Sequence, residues 1–312
     1  MNKDLKTLHL SHTDLDGSGS IIIAKEFLTD VSRKRITYNA VNETLLKILN
    51  SDNDFKQLLI TDLCFYEEDW KVLQNLAKHF DSVTYIDHHI YEFDYTKYIT
   101  KNMEVIIDKS KCATSLTYDY FLKKQKSVSR FFDFQKYTNI FDIWLEDNPE
   151  FEIAKDYNRV FWALGYRSFE TLFFKDPFIT KPLENLVKNI HSEIDSYFTE
   201  REKEGLIITN EKLVLSFLDR HIGEIKDRYP DQDFALNFRA PSHISVRISS
   251  SVDEETANKI RDFILHQVFD EKNLISAGGH ARAFGIRLQD LTNDEEVIQH
   301  IKVIFDKIQN IL

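Results

Sequence analysis

Short apolar runs alternate with amphipathic stretches through the first half of the chain. Thr7 to Leu10 reads as a strand, residues 20–31 as a helix and residues 35–41 as the next strand. A helix over residues 42–49 follows, then a strand over Gln57–Thr61, a helix over residues 67–79 and a strand over residues 82–86. Residues 104–107 form a short apolar run before Asp108, and residues 110–122 read as a further helix. Strands separated by helices of this length predict right-handed crossovers and a parallel sheet. From about residue 131 to 204 the pattern is almost purely helical. Leu183, Val187, Ile190, Ile194 and Phe198 recur at three- and four-residue steps, which marks one long amphipathic helix. The charged residues 200–204 and then Gly205 supply a helix stop and a domain boundary.

A second, smaller α/β unit begins after Gly205. Residues 206–208, 213–217, 234–238 and 244–248 read as strands, residues 253–268 as a helix and Ala283–Leu288 as a closing strand. Thr292-Asn293-Asp294-Glu295 has capping-box spacing, and Val297, Ile301, Phe305 and Ile308 give the last helix its apolar stripe. The expected class is α/β: a parallel-sheet domain over residues 1–180, a connecting helix over 181–205, and a smaller α/β domain over 206–312. An active-site cleft is expected between the two domains.

Composition narrows the partners. With 42% hydrophobic and 29% charged residues and five prolines in 312, the chain reads as globular and neither repetitive nor disordered. A formal net charge of −11 argues against a long track for duplex nucleic acid, but a short nucleotide needs only a few local cations. Cys64 and Cys112 are too few for a disulfide framework and suit a reducing cytosol. Residues 1–6 carry no signal-peptide apolar region, and no run approaches membrane-spanning length, so a cytoplasmic protein without a membrane partner is expected. The assembly is left open, with a homodimer as one form it can take.

Candidate chemistry concentrates where the strands end. Ser11-His12-Thr13-Asp14-Leu15-Asp16-Gly17 follows the first apolar run, and reads as a strand end, a Gly/Ser turn and a helix. Two carboxylates at i and i+2, with a histidine at i−2, converge cheaply only around a cation. Alone, the cluster is equally a helix N-cap. Asp62 closes the run Gln57–Thr61, and Asp87-His88-His89 closes residues 82–86. Three strands ending in acid and histidine build a site along the carboxyl edge of an open α/β sheet. Mixed carboxylate and imidazole donors suit a hard or borderline divalent ion, and Mn²⁺ fits them best.

These motifs resemble the DHH-family phosphoesterases, in the branch that carries the DHH-associated C-terminal domain. His12, Asp14, Asp16 and Gly17 match the first motif, Asp62 the second and Asp87-His88-His89 the namesake triplet, while Asp142 stands for a fourth. Ser276-Ala277-Gly278-Gly279-His280-Ala281-Arg282-Ala283-Phe284-Gly285 matches the C-terminal glycine-rich signature, with Ala277 where relatives often carry another glycine. Upstream, residues 244–250 resemble the strand that supplies a phosphate-binding arginine, here Arg247. The resemblance implies two divalent ions, with His12 and Asp14 on one, Asp16, His88 and Asp142 on the other, and Asp62 bridging. Asp87 and His89 would support the ligands or face phosphate. Arg247, the Gly278-Gly279 backbone and His280 would grip a terminal phosphate, and Arg282 in the same loop is a further candidate. His221 begins a segment that approaches substrate in such domains.

The spacing of the first motif, with Tyr157 to Gly165, is most similar to the oligoribonuclease (nanoRNase) branch. That implies a Mn²⁺-dependent phosphodiesterase acting on short single-stranded RNA or DNA oligonucleotides or dinucleotides. A two-metal hydrolysis would release nucleoside 5′-monophosphates. The rival enzymatic readings are a cyclic or linear dinucleotide phosphodiesterase and a 3′-phosphoadenosine 5′-phosphate phosphatase. An inactive nucleotide-sensing module is the reading from another class. Retention of His12, Asp14, Asp16, Asp62 and His88 speaks against it, because unneutralised buried acids destabilise a fold.

Overall fold

The computed structural model describes residues 1–91, 93–239, 243–264, 274–280 and 282–288. Contacts divide the chain into one unit over residues 1–187 and a second over 188–312.

In the first unit five strands pair side by side, all parallel. They are β1 (Thr7–Ser11), β2 (Val31–Arg35), β3 (Gln57–Thr61), β4 (Ser82–Asp87) and β5 (Met103–Ile107), in the order β2-β1-β3-β4-β5. Every residue of β1 and β3 is buried, as expected of strands covered on both faces. The chain runs outward from β1 to β2 and then returns across β1 to β3. Strand order therefore reverses at β1/β3, and the carboxyl ends there form a crevice.

Helices α1 (Leu15–Phe27), α4 (Ala113–Leu122), α5 (Phe132–Asp142) and α6 (Phe151–Lys175) pack together around an aromatic-rich core containing Phe121, Phe131, Phe134, Phe169 and Phe173. A second core unites α2 (Val41–Leu49) and α3 (Glu67–Leu76) with Leu58, Ile60 and Tyr85 of the sheet. The last helix reaching into this unit is α7 (Lys181–Lys203).

Several elements depart from the sequence reading. Helix α1 starts at Leu15, so the expected Gly/Ser turn is its buried first turns. A Cβ on Gly17 would collide with the His12 carbonyl, and one on Gly19 with Thr114 of α4, so the glycines serve close packing. The second strand is Val31–Arg35 and not residues 35–41. It is a polar edge strand without alternation, and residues 38–40 form a 3₁₀ turn into α2. The helix read over residues 67–79 ends as α3 at Leu76 and finishes in a 3₁₀ turn over Ala77–His79. The helical tract divides into α5, α6 and α7, and α6 is itself broken at Gly165, whose φ is 68°.

The second unit holds β6 (Ile207–Thr209), β7 (Leu213–Ser216), β8 (Phe234–Arg239), β9 (His243–Ile248), β10 (Leu274–His280) and β11 (Ala283–Leu288). Their order is β10-β11-β9-β8-β7-β6, parallel between β7 and β8 and otherwise antiparallel. Helices α8 (Ile225–Arg228) and α9 (Glu254–Phe263) complete what is described. Gly278, Gly279 and His280 lie in strand β10 and not in a loop, because Gly278 pairs with Gly285, Gly279 with Phe284 and His280 with Ala283. The helical reading of residues 265–268 and the final helix from Thr292 lie outside the described residues. Among the described residues no helix is long and apolar enough to cross a membrane.

Candidate metal centre

The sheet's reversal point gathers the acids. His12 directly follows β1. Asp14 caps α1, its Oδ1 accepting from the Gly17 amide at 3.0 Å, and Asp16 lies in the first helical turn. Asp62 directly follows β3 with a left-handed φ of 56°, a conformation that aspartate and asparagine tolerate better than most residues. Asp87 ends β4 ahead of His88 and His89, and Asp142 closes α5.

Two donor groups result. His12, Asp14 and Asp62 converge with donor atoms within 4.8 Å of one another, and so do Asp16, His88 and Asp142. Asp62 faces both: its Oδ2 is 3.8 Å from His12 Nδ1, and its Oδ1 is 3.5 Å from His88 Nε2. His88 Nε2 also lies 3.5 Å from Asp142 Oδ2 and 3.7 Å from Asp16 Oδ2. A third overlapping group joins Asp62, Asp87, His88 and His89.

Asp16 has a second task. Its Oδ2 accepts from the Ala113 amide at 2.8 Å and its Oδ1 from the Thr114 amide at 2.7 Å, so it holds the N-terminus of α4. Each oxygen keeps a further lone pair for a ligand.

The charges are unevenly satisfied. Burial, then the Asp14, Asp16 and Asp142 carboxylates, push Asp62 well above the usual carboxylate range. Burial, then Asp16 and Asp14, do the same to Asp142. Burial also acts upward on Asp14, but the His12 charge and hydrogen bond and the Gly17 amide outweigh it, so Asp14 falls below its ordinary value. Asp87 is held at about 2 because His89 and His88 outweigh its burial. The Oδ2 atoms of Asp62 and Asp142 are buried and accept no hydrogen bond among the described residues. Buried carboxylate oxygens without donors, two imidazoles and mutual repulsion are what a divalent cation relieves, so this donor set fits one.

Around the acids runs a network that the sequence reading missed. Tyr38 stacks on the His12 ring at 4.1 Å, and its hydroxyl is 3.2 Å from His89 Nε2. His89 Nδ1 is 2.8 Å from Asp87 Oδ1, while the Tyr91 hydroxyl donates to Asp87 Oδ2 and the Tyr85 hydroxyl to the Leu63 carbonyl. Tyr91 stands four residues after Asp87, a usable local signal. Tyr38 sits in the stretch read as strand and offered none. Cys64 has its thiol pushed up to about 12 by burial, then by Asp87 and Asp69, so it is poorly suited to act as a nucleophile.

In the second unit Arg247 pairs with Ala283, which pairs with His280, so Arg247 and His280 occupy one row two strands apart. Burial pulls Arg247 down to about 10, and it remains cationic at neutral pH. Its Nη1 donates to the Val246 carbonyl at 2.8 Å. Arg282 donates to the Ser249 carbonyl, which ties the β10–β11 turn to the end of β9. His221 lies 3.4 Å from Glu193 and edge-on to Tyr197.

No family model matches the chain. It is 26% identical over 299 residues to the oligoribonuclease NrnB of Bacillus subtilis, covering 90% of this chain and 72% of that protein. A DHH domain from a protein described as a member of the s1p family of ribosomal proteins superposes with a TM-score of 0.62 at 14% identity, over 97% of this chain and 86% of that one. PggH, a pGpG-specific phosphodiesterase from Vibrio, gives 0.58 at 13% identity, over 98% and 99% respectively. These two likenesses carry the fold: a DHH-type α/β architecture.

Proposed function

We propose that this chain, a relative of the DHH phosphoesterases in sequence and fold, hydrolyses phosphodiester bonds in short oligonucleotides and releases nucleoside 5′-monophosphates. The observation that carries the reading is Asp62, a member of one donor group and facing a second, at the point where strand order reverses. Similarity to an oligoribonuclease over nine-tenths of the chain favours short RNA as the substrate class.

His12, Asp14 and Asp62 would hold one divalent ion, and Asp16, His88, Asp142 and Asp62 a second, with Mn²⁺ preferred by the mixed donor set. Such ions supply Lewis-acid charge to a phosphoryl group and lower the pKa of water. The chain's own groups do the rest. Asp87 and Tyr38 fix the His89 ring from opposite sides, which presents an imidazole at the site in one orientation. Asp16 ties that site to α4, so its position is set by backbone and not by a free side chain.

Residues 1–180 are the metal-carrying domain in this reading, 181–205 the connector and 206–312 the phosphate-binding domain. Arg247 and His280 share a row that ends at the edge strand β10. An edge strand leaves alternate amides unpaired, and Gly278-Gly279 lets a phosphate approach them closely. Arg247, His280 and these amides would take a terminal phosphate. Arg282 serves the turn.

The test is product formation with Mn²⁺ from 5′-labelled RNAs: a dinucleotide, a pentanucleotide and a strand of two dozen residues. Cyclic dinucleotides and 3′-phosphoadenosine 5′-phosphate run alongside. Rapid loss of the short RNAs with the long one spared is expected. Turnover confined to the cyclic or bisphosphate compounds would overturn the oligonucleotide assignment. Binding without any metal-dependent hydrolysis would point to a sensing module.

A further inference from the structure

Strand β2 carries an unusual load for an acidic protein. Arg33 and Arg35 alternate onto one face of the strand and meet the second half of α6. Arg35 lies over the Tyr166 ring at 4.2 Å and ion-pairs with Glu170, while Arg33 Nη1 is 3.9 Å from Glu170 Oε2. From α6 itself Arg167 approaches the same Tyr166 ring at 5.7 Å. Lys25, over the Phe174 ring at 4.1 Å, extends the group along α1. Two arginines thus share the Glu170 carboxylate, with Arg167 and Lys25 on neighbouring rings, in a chain whose net charge is −11. The crowding is felt: burial, then Arg33 and Arg167, pull Arg35 down to about 10, though Tyr166 opposes.

Position gives this group its meaning. Arg35 pairs in register with Ser11, and the Ile36 amide donates to the Ser11 carbonyl at 2.9 Å. Ser11 directly precedes His12, and Tyr38, three residues after Arg35, stacks on His12. Adjacent strands are about 5 Å apart, so the carboxyl end of β2 borders the strand that leads into the candidate metal centre, while its arginines turn toward α6. The two arginines of β2 lie two residues apart, about 7 Å along the strand. Gly165, at φ 68°, breaks α6 just before Tyr166 and Arg167 and starts a new helical direction there. Guanidiniums held by a ring and a carboxylate are pre-ordered forks for phosphate oxygens.

We propose that Arg33, Arg35 and Arg167 form a phosphate lane that holds the backbone of a single-stranded oligonucleotide beyond the bond being cut. This rests on the oligonucleotide reading above and extends it. A dinucleotide is too short to occupy the lane, whereas a pentanucleotide would reach it. Arg35 shares the buried Glu170, so its removal would strand a charge. Arg33 and Arg167 are exposed and are the residues to change.

The experiment compares wild type with Arg33→Gln/Arg167→Gln in two assays: binding of a fluorescent pentanucleotide in EDTA, and Mn²⁺-dependent turnover of pentanucleotide and dinucleotide. The double variant should weaken pentanucleotide binding by tenfold or more. Its pentanucleotide-to-dinucleotide ratio of kcat/KM should fall by a similar factor. Loss of two phosphate contacts should reduce the slope of log affinity against log salt by about 1.4. Arg33→Lys/Arg167→Lys should restore most of the affinity and so separate charge from misfolding. Equal loss on both substrates, or unchanged pentanucleotide binding, would overturn the lane. A wild type that binds the pentanucleotide through these arginines yet hydrolyses nothing would keep the lane and sink the hydrolytic reading.

Discussion

Replacing Asp62 by asparagine should make the metal-free protein more stable while destroying its metal response. The Asp62 carboxylate lies within 4.8 Å of donor atoms on both Asp14 and Asp87. At an effective dielectric constant of about 20, each ionised pair at that distance costs about 3 kcal/mol. Burial and the neighbouring carboxylates push Asp62 toward its neutral form, so only part of this cost is borne, on the order of 2 kcal/mol. Asparagine removes the charge, keeps the shape and tolerates the left-handed φ of 56°. In a unit of this size about 2 kcal/mol corresponds to a rise of roughly 4–8 °C in Tm. Thermal denaturation of EDTA-treated protein reads it directly. Wild type should then gain stability with Mn²⁺, by about 2.7 kcal/mol at a hundredfold excess over Kd. The variant should lose both that gain and hydrolysis. An EDTA-state Tm for Asp62→Asn below that of wild type, or an intact Mn²⁺ shift in the variant, would refute the reasoning.

Three further outcomes follow from the geometry. Asp16→Ala should destabilise the metal-free protein by about 2–4 kcal/mol because two buried amides of α4 lose a charged acceptor, whereas Asp14→Ala loses one N-cap bond, about 1 kcal/mol; urea denaturation separates them. Tyr38→Phe keeps the stack on His12 and loses the hydroxyl contact to His89, so kcat should fall roughly fivefold with Mn²⁺ affinity unchanged, while Tyr38→Ala should weaken both; steady-state kinetics against a Mn²⁺ titration decides it. His9 is buried and neutral, pulled down to about 3 by burial, then Arg33 and Arg35. Its folded pKa lies below the unfolded value of 6.5, so its stability contribution is complete above pH 6.5 and is lost on acidification; about 2 kcal/mol should go by pH 5, and His9→Asn should flatten that part of the profile.

The parts of the fold that announce themselves are those where burial and period coincide. β1, β3 and β4 are short buried runs that lead directly into a histidine or an acid, so both the sheet and the positions of His12, Asp62 and Asp87 could be read without coordinates. β2 could not, because an edge strand of one valine, a serine and three cations has no apolar run. The start of α1 was misplaced because glycine and serine ordinarily signal a turn. Here Gly17 and Gly19 answer to neighbours distant in sequence as well as near. β10 was hidden by the same prejudice about Gly278-Gly279. Asp142 shows the middle case: its helix was legible, but only packing brings its Oδ2 to His88. Tyr38 is the extreme one, since its role exists only through tertiary contacts with His12 and His89.

The strand at the margin of the first sheet also bears on self-association. Val31-Ser32-Arg33-Lys34-Arg35 presents a row of backbone groups that another chain could in principle pair with. Consecutive positive charges at its carboxyl end mean that an identical strand laid alongside in parallel would set like charge against like charge over three positions, and an antiparallel one would set Arg33 against Arg33. Growth of the sheet by adding a second copy in parallel at this margin is therefore disfavoured.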